Sequence, residues 1–403
     1  MLFQYKDKIT IWQFILLTYA ATWLISPFLE RGMIWRLLML GGSSYFAFSC
    51  FYNNKNGSKR HFLCVVLLVI YIVFLTLIMN DAYQYRIGTI IFLSVSFCSY
   101  FIYNHEIPID YLKIGIEYIM GICILSNIIT LRQLRITPNI CRLFAKNLNF
   151  EAMGYHAMRG TGGYGFIYTI LLLLPFSLEL TLFEKQDKKL RIISFICFLT
   201  SYILIFKAAY FLALLLSILT TFLYFVFKFP EKFNKKYVLL FIIFIILFFI
   251  FFDYFVSYVV QYIPIRSMQE KLLSLQELLN GSEELEDSEF SLRSERYWKA
   301  LVNTLISPFF GWFTYRGTGN HSHLMDFSAQ YGLLLLYGYV QLIINPLRKC
   351  GLFQQPASIT CIVIFGGLTL LNTLAFAWGG IMLIFIPMYC AMIQKHQNEK
   401  TSV

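Results

Sequence analysis

Uninterrupted apolar runs of about twenty residues recur along the chain, the length a helix needs to cross the roughly 30 Å hydrocarbon core of a bilayer. In lipid every backbone N–H and C=O must be paired internally, which leaves only helices or a closed barrel. The continuity of the runs selects helices, since barrel strands alternate apolar and polar residues over about ten positions. Composition agrees. Of 403 residues, 58% are apolar and 14% charged, against roughly a quarter charged in a soluble domain. The expected fold class is all-α, a polytopic helical membrane protein formed by one transmembrane domain over residues 1–403.

Twelve spans are expected: Ile9–Pro27, Met33–Phe51, Phe62–Met79, Ile87–Tyr103, Tyr111–Ile129, Tyr164–Phe183, Ile192–Phe206, Tyr210–Phe227, Tyr237–Tyr254, Gly332–Pro346, Ala357–Ala375 and Gly379–Ile393. Basic tufts follow alternate spans. They are Lys55, Lys59 and Arg60 after the second, Lys185 to Arg191 after the sixth, Lys228 to Lys236 after the eighth, and Arg348 and Lys349 after the tenth. Lys6 and Lys8 precede the first span, and Lys395 and Lys400 follow the last. With twelve spans all of these share one side, which the positive-inside rule makes the cytoplasm, with both termini there and the protein in a bacterial inner membrane. The first apolar run lacks a small-residue cleavage site and is read as a retained span.

This distribution also accounts for the net charge of +11. Basic residues grouped at span ends reflect topology, so nucleic-acid binding is excluded. Nine cysteines are present, without a CxxC pair or a Cys/His cluster, so neither a disulfide framework nor a zinc site is expected. Cys141 alone falls in an expected external loop.

Two long loops, about 130–163 and 255–331, are expected on the periplasmic side. They are long enough to escape the charge rule, so their basic residues need another explanation. In the second, Met268, Leu272, Leu275 and Leu279 form one helical stripe. Arg296–Ile306 reads as a further helix stopped by Ser307-Pro308, and Asp326–Gly332 as the start of a helix continuing into the next span.

The segment that stands out contains Arg296-Tyr-Trp-Lys, then Pro308-Phe-Phe-Gly311, then His321-Ser-His323 running to Asp326 and Gly332. Its order resembles the signature of the superfamily of O-antigen polymerases and O-antigen ligases, and its His-Ser-His form looks more like the polymerases. Two further segments resemble that family, Phe206-Lys207-Ala-Ala-Tyr-Phe-Leu-Ala and Arg159-Gly-Thr-Gly. Lys207 stands where the family carries Arg, keeping the charge without the bidentate fork. The paired Arg-x(10)-Gly motifs of some polymerases are missing here.

The resemblance implies a glycosyltransferase whose donor is an oligosaccharide on undecaprenyl pyrophosphate, working among membrane lipids and with a chain-length regulator protein as a further partner. It implies no cofactor. Fixed cations can stabilise the departing pyrophosphate in place of a metal ion. Arg159, Lys207 and Arg296 are the candidates, with Arg293, Arg316 and His323 as further substrate contacts. A neutral imidazole can take the proton of the attacking hydroxyl, and His321 is the candidate base. Asp326 is poorly spaced to orient it.

Each residue has a structural reading as well. His321 could cap the following helix, and Arg159 and Arg296 could be snorkelling or headgroup anchors. Lys207, a charge in an apolar stretch, is by default functional. Of the competing functions, an O-antigen ligase differs only in acceptor, lipid A–core. A lipid-linked oligosaccharide flippase would keep its charges at mid-membrane, whereas Glu117, Glu179, Lys207 and Asp253 lie towards span ends.

Overall fold

The computed structural model describes residues 7–30, 33–52, 58–79, 83–138, 140–141, 159–183, 187–208, 210–230, 251–259, 269, 272–273, 276, 289–312, 322–375 and 377–401. A two-residue strand β1 (Asp7–Lys8) leads into α1 (Ile11–Ile25), α2 (Pro27–Glu30), α3 (Met33–Tyr52), α4 (Ser58–Met79) and α5 (Tyr83–Asn104). Strand β2 (His105–Glu106), α6 (Ile109–Ile136), α7 (Tyr164–Phe183), α8 (Lys188–Lys207) and α9 (Phe211–Lys228) follow. The remainder comprises α10 (Phe252–Val259), α11 (Glu289–Ile306), α12 (His323–Lys349), α13 (Pro356–Leu371), α14 (Ala377–Gly380) and α15 (Ile386–Thr401), the last two joined by the π-helical turn Ile381–Phe385.

Helices stand where the first eight and the last three spans were expected. Of the ninth, Tyr237–Tyr254, residues up to Ile250 lie outside the described residues, as do Met268, Leu275 and Leu279 of the amphipathic stripe. Five helical stretches among the described residues are long and apolar enough to cross a membrane: Ile109–Ile136, Tyr164–Leu182, Lys188–Lys207, His323–Lys349 and Ala377–Gln397.

Local signals set the starts. Thr10 and Gln13 cap α1 reciprocally, with Thr10 N–H donating to Gln13 Oε1 at 2.9 Å and Gln13 N–H to Thr10 Oγ1 at 3.3 Å. Asp187 Oδ1 accepts from Leu190 N–H at the start of α8. Pro356 opens α13, where no intrahelical donor is needed.

The core is built on α7 and the Ala377–Gln397 stretch, each mostly buried. Phe176 packs edge-on against Phe385 at 5.3 Å and Tyr389 at 5.0 Å. Lipid tails are as apolar as leucine, so burial alone does not drive helices together in a bilayer; close packing and interhelical hydrogen bonds do. Such bonds join α6 to α8 through Asn127 Nδ2 and Ser201 Oγ at 3.1 Å, and α5 to the π turn through Ser99 Oγ and the Leu383 carbonyl at 2.6 Å. The outer faces of α4 and α8 instead expose apolar stripes, Leu67, Ile70 and Phe74 on one and Phe195, Leu199 and Ile203 on the other. In water these would be costly; against lipid they are the natural surface.

The bundle has two chemically distinct ends. At one, here the terminal end, β1 pairs in parallel with β2, and Lys395 Nζ lies 3.4 Å from Glu106. Lys189 meets Glu117 at 2.5 Å and Lys228 meets Glu179 at 2.7 Å, while Lys349 sits over the Tyr100 ring at 5.1 Å. Every basic tuft with described residues falls at this end. The other, the loop end, carries Thr137, Arg159 to Tyr164, Lys207, Tyr210 and Asn372.

One expectation is overturned. The helix starting at Asp326 does not run on through Gly332, because Gly332 adopts φ 81° and ψ 166°, a backbone conformation open essentially only to glycine. Phe327 and Tyr339 stack with their rings 4.8 Å apart, although twelve positions along a straight helix would separate them by about 18 Å. Thus α12 is a hairpin whose buried first leg, 323–331, folds back on a second leg, 333–349. The Pro308–Gly311 turn docks at the break, with Leu333 N–H donating to the Pro308 carbonyl at 2.7 Å. Gly332 is buried in protein, where non-helical backbone is tolerated.

Candidate functional site

At the loop end, hydrogen bonds converge on Asn372, the residue that closes α13. Its carbonyl accepts from His323 N–H at 3.0 Å, and its side-chain Oδ1 accepts from the Tyr164 hydroxyl of α7. The neighbouring Leu371 carbonyl accepts from the Tyr297 hydroxyl of α11 at 3.0 Å. The Tyr164 ring packs edge-on against Tyr210, with centroids 5.7 Å apart, and the Tyr210 hydroxyl donates to the Cys141 carbonyl at 2.5 Å. The Asn372 side chain is buried, and its Nδ2 has no hydrogen-bond partner among the described residues. A buried donor of this kind is uncommon and invites an acceptor.

This hub gathers the segments that carry the candidate cations. Arg159 is exposed on the turn leading to Tyr164. That turn is pinned by Gly162 N–H donating to Thr130 Oγ1 at 2.9 Å, and it contains Gly160 at φ 75°, lying against Phe28. Lys207 is the exposed last residue of α8, three positions before Tyr210, where a cation also complements the helix C-terminus. Arg296 is exposed on α11, next to Tyr297. On the same helix Lys299 pairs with Glu295 at 2.7 Å and holds that carboxyl below the usual carboxylate range, with Arg296 adding to the effect.

The histidines differ in placement. His321 and Arg316 lie outside the described residues, and Arg293 is placed by its backbone in α11 with its side chain outside them. Ser322, directly after His321, is the N-cap of α12. Its Oγ accepts from Met325 N–H at 3.3 Å, while Asp326 Oδ2 accepts from Ser322 N–H at 3.3 Å. The cap is therefore Ser322 and not His321, and Asp326 is engaged by the backbone. His323 is 1% exposed, and its Nε2 lies 3.0 Å from the Tyr339 hydroxyl, tying the two hairpin legs together. It also lines a small apolar cavity of about 130 Å³ with Ile343, Phe365 and Met382.

No family model matches the chain, and no curated protein is significantly similar to it. The arrangement therefore stands on its own chemistry. Three exposed cations from three elements share one end with a buried, unfilled amide donor, and nearby tyrosine hydroxyls are committed to holding the frame. Such an array suits a phosphorylated or pyrophosphorylated group with polar attachments. Among the described residues no three His, Cys, Asp or Glu side chains come together as a metal site. Sequence reasoning missed Asn372, Tyr164, Tyr210, Tyr297 and Ser322. The available signal was Asn372, an amide directly ending an apolar run, where an unpaired polar group is expensive.

Proposed function

We propose that this protein is an inner-membrane glycosyltransferase of the O-antigen polymerase kind, joining oligosaccharide repeat units carried on undecaprenyl pyrophosphate at the periplasmic face. The observation that carries the reading is the convergence on Asn372 of the segments bearing Arg159, Lys207 and Arg296 with the Ser322–Asp326 helix start. In this reading the loop end is periplasmic and the terminal end cytoplasmic, as the basic tufts demand.

The chemistry follows residue by residue. An acceptor sugar hydroxyl attacks the anomeric carbon of the donor chain. The bond from that carbon to the pyrophosphate oxygen breaks, and its electron pair leaves on the lipid pyrophosphate. Arg159, Lys207 and Arg296 stabilise the departing charge, which grows in the transition state, so their effect falls on the rate. The hydroxyl proton passes to the neutral imidazole of His321. Asn372 Nδ2 supplies a donor for a sugar or phosphate oxygen.

Replacing His321 by Ala in the full-length protein tests this. Chain extension is expected to stop while the protein remains expressed and inserted; lipopolysaccharide with wild-type banding would overturn the assignment. Deleting the whole gene separates the two acceptors. Loss of everything beyond one repeat marks a polymerase, and long chains left on the carrier mark a ligase.

A transporter reading has one observation in its favour, since discontinuous helices such as α12 are typical of transporters. Against it, the break at Gly332 carries no charge, and the exposed cations lie at the loop end rather than at mid-bundle. A lipid-scrambling assay in liposomes with the purified protein would detect translocation directly.

A further inference from the structure

A cavity of about 1100 Å³ is a side-opening groove between α4 and the second leg of α12, and none of the proposed chemistry uses it. One wall is a single helical stripe of α4, with Arg60, Cys64, Leu67 and Tyr71 at i, i+4, i+7 and i+11. The facing stripe on α12 is Leu334, Gly338, Gln341, Asn345 and Arg348.

The groove is polar and positive at one end only. Arg60, Arg348 and Lys349 meet there beside His61, and among the described residues no acidic side chain lines it. Lys349 is held in place over Tyr100 and Tyr103, at 5.1 and 5.6 Å, and Arg348 over Phe353 at 5.9 Å. His61 is fixed by Ser96 Oγ at 3.0 Å and by the Tyr100 ring at 4.2 Å. Two of the charges at the basic end, Arg348 and Lys349, are thus positioned by aromatic rings, and Arg60 lines the same end. Towards the other end the lining turns to leucines and aromatics, closed by Phe309 and Phe310 of the docked turn.

From Arg348 to Leu334 the groove runs about 21 Å along the helix, more than half of the roughly 30 Å hydrocarbon core. A cationic end followed by an apolar trough of this depth is complementary to an anionic lipid with its phosphate at the terminal end and one acyl chain along the groove.

We propose that this groove is a specific binding site for an anionic phospholipid of the leaflet at the terminal end, separate from the site around Asn372. Arg60, Arg348 and Lys349 take the phosphate, Asn345 and Gln341 offer amide donors just below it, and the acyl chain lies between α4 and α12.

The test uses delipidated full-length protein in detergent, titrated with phosphatidylglycerol, phosphatidylcholine and inorganic phosphate and read by native mass spectrometry. Phosphatidylglycerol is expected to bind at one stoichiometric site in preference to phosphatidylcholine. The variant Arg60→Gln/Arg348→Gln should weaken it about 25-fold, following from about fivefold per charge at a membrane surface. Gly338→Trp, which fills the trough from a position with open space around it, should weaken binding without altering charge. Equal retention of both lipids would overturn the proposal, as would full displacement of phosphatidylglycerol by inorganic phosphate, which marks a free-anion site. Unchanged binding in both variants, with melting temperatures matching wild type, would overturn it as well.

Discussion

Gly311 and Gly332 each leave their Cβ space to the backbone that immediately precedes the other. A Cβ on Gly332 would lie 2.2 Å from the Phe309 carbonyl oxygen, and one on Gly311 would lie 2.3 Å from the Gln330 carbonyl oxygen. Both residues have positive φ, 66° and 81°, and the bonds from Leu333 to Pro308 and from Trp312 to Ala329 stitch the two backbones together on either side. Neither neighbour can yield, because both are backbone.

Gly332→Ala therefore combines a strained dihedral with a backbone clash and should cost at least about 3 kcal/mol. Thermal unfolding of the purified protein in detergent measures this. Gly338→Ala, six residues on with open space at its Cβ, should stay within about 0.5 kcal/mol of wild type. Helix propensity favours Ala over Gly, so similar losses in both variants would mean that added bulk along α12 in general, and not the docked turn, sets the effect.

Lys207 serves charge in the proposed mechanism, so Lys207→Arg should keep most chain extension and Lys207→Ala should lose about tenfold or more. Repeat-unit ladders of extracted lipopolysaccharide report the difference. Equal loss in both variants would assign Lys207 a role in shape.

Glu179 and Lys228 form a pair at 2.7 Å with side chains 8% and 23% exposed. Glu179→Gln removes the carboxylate charge that faces the partly buried Lys228 ammonium and should destabilise the protein by about 3 kcal/mol. Adding Lys228→Met should recover part of that loss, giving a positive coupling in a double-mutant cycle. Strict additivity would show that the pair contributes nothing jointly.

Burial pushes the Cys141 thiol up to about 12. Thiolate is the reactive form, and at pH 8 its population falls to about one part in ten thousand, against roughly a quarter for a free thiol. The sign is that the thiolate fraction, and with it reactivity, rises with pH towards about 12. Maleimide labelling of a variant retaining Cys141 as its sole cysteine should be negligible in the native protein at pH 8 and complete after denaturation in SDS. Rapid native labelling would place Cys141 at an open surface.

Much of this was legible before any coordinates. Apolar runs placed the helices, and the tufts at Lys59, Lys189, Lys228, Lys349 and Lys395 gave a common end. Pro308-x-x-Gly311 and Gly332 were each noticed, yet nothing in the sequence said that they touch, since they lie far apart along the chain and carry no pairing chemistry. Spacing alone makes Asp326 a poor orienter of His321; the structure commits it to the N–H of Ser322. His323 and His321 look alike in sequence, but His323 turns out to be a buried strut against Tyr339.

The sequence by itself determined that the chain is helical and apolar enough to meet a membrane, because hydrophobic run length and charge placement are local properties that lipid reads directly. Only tertiary structure decided that α12 folds back on itself, that Asn372 becomes a hub, and that α4 and α12 enclose a groove with one basic end. Those outcomes depend on close approach between distant segments, where a missing Cβ or a single hydrogen bond selects among packings that hydropathy leaves equivalent.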